Sequence, residues 1–137
     1  MKQILSSVHI AKTIPSERLV VGWASIVRQN GQDVIDEQGD IIPPEVLEKA
    51  AIDFSLYVRK AGEQHQRLEG IGRLVWSLVT TDEMVKALFP AAHAGAIPVG
   101  WIVGFKIDDE NTWAKVQNGE LSAFSIGGTG VREPVAS

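Results

Sequence analysis

The chain contains no cysteine. Disulfide staples, a thiol nucleophile and cysteine-ligated zinc are therefore excluded, and the composition fits a reducing compartment. Long apolar runs are missing too. The opening MKQILSSVHI lacks the apolar core of a secretory signal. No stretch reaches the ~20 apolar residues that span a bilayer. Runs of basic residues are absent and the net charge is -4, which argues against nucleic acid as the main partner. The expectation is a soluble protein used inside a cell, with no membrane and no nucleic acid among its partners.

Several chemical signatures are absent as well. There is no HExxH, no GxxxxGK[ST], and no GxGxxG opening a helix, so zinc proteolysis and nucleotide binding have no support. Asp36, Glu37 and Asp40 form an acidic loop without the glycine and terminal glutamate of a calcium-binding hand. No metal site and no cofactor are expected.

What is present is a globular composition. Of 137 residues, 45% are apolar and 22% charged, enough to bury one core, so residues 1–137 read as one domain. Ile4, Val8 and Ile10 suggest a first strand. RLVVGWASIV (18–27) is apolar on both parities, as a strand covered on both faces would be. QNGQDVIDEQGD reads as a polar loop. Pro43 and Pro44 open a helix that carries Val46, Leu47, Ala50, Ala51, Phe54 and Val58 on one face and stops at Gly62. In the strand 71–80, Leu74, Trp76 and Leu78 face one way, Arg73 and Ser77 the other. Thr80 with Glu83 predicts a capping box for a short helix before Pro90.

From Ile97 to Ile107 the odd positions are apolar, the cleanest period-two stripe in the chain, with Gly100 and Gly104 leaving room on the other face. Asp109 caps a third helix carrying Trp113 and Val116, ended by Asn118-Gly119. A last strand, 121–126, runs into turn-forming Gly127, Gly128 and Gly130. The four tryptophans read as core residues because they fall on apolar stripes. Strands broken by three helices without βαβ alternation give an α+β chain: a mostly antiparallel sheet or small barrel decorated by helices.

Nucleophilic hydrolysis needs a hydroxyl, a base and donors for the oxyanion. Three histidines limit the choice of base. His9 lies among apolar neighbours and reads as a hydrogen-bonded structural residue. His93 lies in the AAHAGA loop and reads as solvated. His65, in GEQHQR, sits between a helix end and a strand with polar flanks, a setting that core packing does not explain, although a plain surface histidine would. Ser125, in AFSIGG, shares its strand face with Ala123 and Gly127. Those small neighbours leave space above its hydroxyl, and Gly127 and Gly128 offer backbone N–H groups. On the residues alone, an ordinary strand serine is the better account, since no spacing rule links Ser125 to His65.

The order VVGWASIV, DEQGDIIPPEVLEKAAIDF, GEQHQRLEGIGRLVWS, PVGWIVGFKI, GELSAFSIGG resembles the XkdF-like phage serine proteases, relatives of the prohead maturation proteases. The likeness runs from about Leu19 to Glu133. Each motif is modest alone, and five in one order are specific. The resemblance implies catalytic residues Ser125 and His65, and a β-barrel surrounded by helices as in the herpesvirus assemblins. It implies cleavage of scaffold or capsid-protein segments inside the procapsid, in the bacterial host cytoplasm, and association into a homodimer or larger assembly. A helix around Trp113 could supply that association face, with core burial the competing account.

The resemblance also implies a third catalytic residue, a glutamate in a segment past the serine strand, and the chain is expected to lack that segment. The third member is therefore unassigned. Glu63 and Asp40 are nearby acids, and Glu133 follows the serine strand closely. Two other readings compete: a non-catalytic assembly module that binds scaffold or capsid protein, and a metal-dependent hydrolase built on His9, His65 and the acidic loop.

Overall fold

The computed structural model describes residues 2–36, 39–63, 67–130 and 133–134. In chain order these form β1 (Lys2–Ile14), β2 (Leu19–Gln29), β3 (Gln32–Asp33), β4 (Asp40–Ile41), α1 (Pro44–Asp53), β5 (Lys60–Glu63), β6 (Arg67–Val79), α2 (Asp82–Leu88), β7 (Val99–Ile107), α3 (Glu110–Gln117), β8 (Ala123–Gly130) and β9 (Glu133–Pro134).

The sheet closes nearly on itself. β1 pairs with β8, β8 with β5, and the series continues through β6, β7 and β2 back to β1, with every pairing antiparallel. Such closure leaves few free edges to aggregate. β3 extends β2, and β4 pairs separately with β9. The α+β expectation of a mostly antiparallel barrel with three helices is met.

The stripe on β7 is the centre of the core. Val99, Trp101, Val103, Phe105 and Ile107 are all buried. Phe54, at the end of α1, meets Trp101 and Phe105 edge-on, with ring centroids 5.4 and 6.1 Å apart. Edge-to-face contact suits the ring quadrupoles, and it seats α1 on the core side of β7 through Leu47, Ala50, Ala51 and Phe54. On the opposite face of β7 the two glycines do what the pattern predicts. A Cβ on Gly100 would sit 3.0 Å from the Trp23 ring and against the Ser25 carbonyl, and one on Gly104 would sit 2.8 Å from Trp76 Cε3. Two indoles therefore lie flat against backbone that only glycine leaves bare.

Several local expectations change. The helix from Pro44 does not run to Gly62. A π turn over Phe54–Val58 follows α1, and Arg59 ends it in the left-handed region at φ 61, with its N–H donating to Phe54 O at 2.9 Å. The wider turn rotates Val58 off the buried face, and it is 38% exposed. Gly62 lies in β5. The cap of α2 is Thr81, whose side chain accepts from Met84 N at 3.1 Å. Thr80 is instead buried against β7: its hydroxyl donates to Pro98 O at 2.7 Å and accepts from Gly100 N at 3.0 Å.

A bulge between Leu74 and Trp76 also separates two residues expected on one face. Leu74 is buried and Trp76 is 47% exposed. Trp101 and Trp113 are core residues, whereas Trp23 and Trp76 lie on the outer surface. Within the polar loop, Asn30 and Gly31 both have positive φ, and Gln29 pairs with Gln32. This is the Asn-Gly hairpin turn, whose twist matches that of its strands. Gly127, Gly128 and Gly130 continue β8 as strand and do not turn. Asp109 caps α3 as predicted, accepting from Thr112 N at 2.8 Å.

Candidate active site

Ser125 occupies the middle of β8. Its Cα partners are Ser7 on β1 and Gly62 on β5. Phe124 and Ile126, on either side, must point to the opposite face of the strand. Phe124 pairs with Val8, and both belong to the core, so the Ser125 face is the outward one. Ser125 is nevertheless only 1% exposed. β8 is thus covered on both faces here, and the open space expected above the hydroxyl is not there. Pairing on both sides fixes the backbone of Ser125.

His65 lies outside the described residues, as do Gln64 and Gln66. Glu63 and Arg67, which bracket them, are Cα partners in the β5–β6 ladder, and Glu63 is also the partner of Phe124. The chain therefore leaves toward His65 from the strand paired to Ser125, one residue after Ser125's own partner. The spacing between Ser125 and His65 in sequence is long and without rule. β5, which ends at Glu63, and β8 are neighbours in the sheet.

The acids fall in different places. Asp40 is 8% exposed, the buried charged side chain among the described residues, and its backbone N–H donates to Asp36 Oδ1 at 2.9 Å. It faces Pro134 across the β4–β9 ladder, with Glu133 opposite Ile41. Glu63 ends β5. His93 is exposed in the loop before β7, as expected. His9 is exposed rather than structural, and it stands opposite Ala123 on β1. The sequence reading made it a hydrogen-bonded structural residue because its neighbours Val8 and Ile10 are apolar. Strand alternation turns it the other way. Among the described residues no three His, Cys, Asp or Glu side chains gather as metal donors. No helix among them is long and apolar enough to cross a membrane.

Two strands from β8, Arg73 grips Asp108 with Nε at 2.6 Å and Nη2 at 3.0 Å. That hydrogen-bonded fork holds the Asp108 carboxyl below the usual range and raises the guanidinium. Both side chains are exposed, so salt screens the pair.

Comparison with known proteins adds the family. A family model described as "Putative phage serine protease XkdF" matches residues 7–133. Uncharacterized protein YqbD of Bacillus subtilis (strain 168) is 29% identical over 121 residues, 88% of this chain and 34% of that protein. The chain thus spans about a third of the length of the curated relative it matches. No solved structure matches the chain significantly. The family match takes in nearly every described element, from β1 to β9, and on that ground the chain belongs to the XkdF phage serine protease family.

Proposed function

We propose that the protein is a serine endopeptidase of phage head assembly, with Ser125 as nucleophile and His65 as general base. The observation that carries this reading is the β5–β8 register: Gly62 is the partner of Ser125, and His65 follows Gly62 by three residues. The proposed fold likeness is to the herpesvirus assemblins, supported by the nearly closed antiparallel barrel with helices around it.

In this mechanism Ser125 Oγ attacks the scissile carbonyl carbon while the His65 imidazole takes the hydroxyl proton. Backbone N–H groups next to Ser125, Gly127 among the candidates, receive the oxyanion. Collapse of the tetrahedral intermediate breaks the C–N bond, and the imidazolium hands its proton to the leaving amine. Water then hydrolyses the acyl-enzyme with His65 again as base. The acid that orients His65 is unassigned. Asp40, for its burial, and Glu63, for its place in β5, are the candidates.

The proposed substrates are segments of scaffold or major capsid protein, cut within the procapsid in the bacterial host cytoplasm. Self-association is part of the proposal, although buried Trp113 offers no face for it. Exposed apolar side chains sit at the end of α1, Ile52, Leu56, Tyr57 and Val58, and at the end of α2, Leu88 and Phe89.

One observation favours a second reading. Ser125 is enclosed, as suits a module that keeps the fold to bind scaffold or capsid protein without cutting it. A fluorophosphonate probe decides, because only an activated serine reacts. Labelling of wild type that is lost in Ser125→Ala and in His65→Ala supports the protease. A fully folded wild type that takes no label over hours leaves the binding module.

A further inference from the structure

The outward face of the barrel changes character on the two sides of Ser125. On the β5–β6–β7 side it is charged. Lys60 pairs with Arg73, Arg73 with Lys106, and the Asp108 carboxylate joins them. On the β1–β2 side charge is sparser, with Lys12 on β1 exposed opposite Val21. Ala123, the next outward residue on β8, pairs with His9, His9 pairs with Trp23 on β2, and Trp23 pairs with Ile102 on β7. These residues form one lateral row across four strands. His9 is exposed, and Ala123, Trp23 and Ile102 are each partly exposed. The Trp23 ring is held in place by Gly100, whose missing Cβ lets the indole lie on the β7 backbone.

We infer that this row is a substrate subsite that selects an apolar or aromatic side chain near the scissile bond, with Trp23 and His9 as its specificity-determining residues. The inference rests on Ser125 being the nucleophile. Its geometry follows from the ladder. Neighbouring strands lie about 4.8 Å apart and residues rise about 3.3 Å along a strand. His9 is thus one strand over and one outward step along from Ser125. Trp23, two strands over, lies roughly 12 Å away, or three to four residues of an extended peptide. Ser125 is enclosed, so cleavage requires the cover over its hydroxyl to move aside; a peptide that then presents its carbonyl to Ser125 and runs toward β2 brings its third or fourth side chain over the indole. Apolar surface meeting a partly exposed indole is a favourable burial. The imidazole edge beside it suits an aromatic ring as well as an aliphatic one.

The test uses a degenerate peptide library cut by the full chain and read by mass spectrometry, with Ser125→Ala as blank. Wild type is expected to enrich Leu, Ile, Phe or Trp several-fold at the third or fourth residue on one side of the cut. That enrichment falls at least several-fold in Trp23→Ala and in His9→Ala. His9 is exposed, so its variant folds even where Trp23→Ala does not. Ala123→Leu, which fills the row, shifts the preference to smaller side chains. Trp76→Ala, an exposed indole outside the row, keeps it. Unchanged enrichment in His9→Ala and Ala123→Leu overturns the subsite while leaving the protease in place, and so does equal loss in Trp76→Ala. No cleavage by wild type, together with no fluorophosphonate labelling, overturns the protease reading and the subsite with it.

Discussion

Thr80 illustrates how one hydroxyl can hold an edge of the barrel. Its Oγ1 donates to Pro98 O and accepts from Gly100 N, while its own N–H donates to Gly100 O at 2.8 Å. Thr80→Val keeps the shape and removes the hydroxyl, leaving the Gly100 N–H buried without its acceptor. The expected cost is about 1–3 kcal/mol in a denaturant titration, with Thr80→Ser much milder. Gly100→Ala is expected to cost a similar amount, about 1–3 kcal/mol, because its Cβ meets the Trp23 ring and the Ser25 carbonyl. Ser125→Ala is a different case. It deletes one small buried hydroxyl, so stability should shift by about 1 kcal/mol or less while fluorophosphonate labelling disappears. Equal losses of labelling and of fold would mean that the residue is structural only.

Caps and turns act one level up. Asp109 holds the start of α3 through Thr112 N and Thr112 Oγ1, at 2.8 and 2.7 Å. Asp109→Ala should destabilise by about 1 kcal/mol, measured by the shift in denaturant midpoint. Loosening α3 also loosens Trp113 and Val116, which it buries. The β6–β7 edge carries a charge term. The Arg73 fork depresses the Asp108 pKa, so the pair stabilises the fold above the usual aspartate value of about 3.9 and the benefit is lost as pH falls below it. Asp108→Asn should therefore be less stable than wild type at pH 7, and the gap should close as pH falls through the lowered Asp108 pKa. The gap at pH 7 should also shrink in about 1 M salt, as an exposed pair requires.

Closure of the barrel depends on the first strand. β1 joins β8 on one side and β2 on the other, so the ring is completed by contacts between the two ends of the sequence. Deleting residues 2–10 would free the edge of β8 that carries Ser125 and expose Phe124 and Ile126. An unpaired apolar edge of that kind aggregates. The expected outcome is an insoluble protein lacking the far-ultraviolet strand signal, checked by expression and circular dichroism. A soluble, folded product would show that β8 needs no partner there. Association of the intact chain is checked by light scattering across a wide concentration range. A strictly monomeric mass would count against it.

Much of this was legible from local pattern. The β7 stripe, the glycines behind it, the Asp109 cap and the Asn118-Gly119 stop depend on residues within a turn or two of each other, where periodicity and capping chemistry act directly. The five ordered motifs likewise pointed to the family. Other features depend on partners far away in the chain. The bulge that splits Leu74 from Trp76 arises from pairing with β7, and the exposure of His9 from which face β8 leaves outward. The diversion of Thr80 from capping to clasping needs Pro98 and Gly100 beside it. The enclosure of Ser125, and its position opposite Gly62, follow from a pairing between residues more than sixty positions apart, which only closure of the sheet brings about.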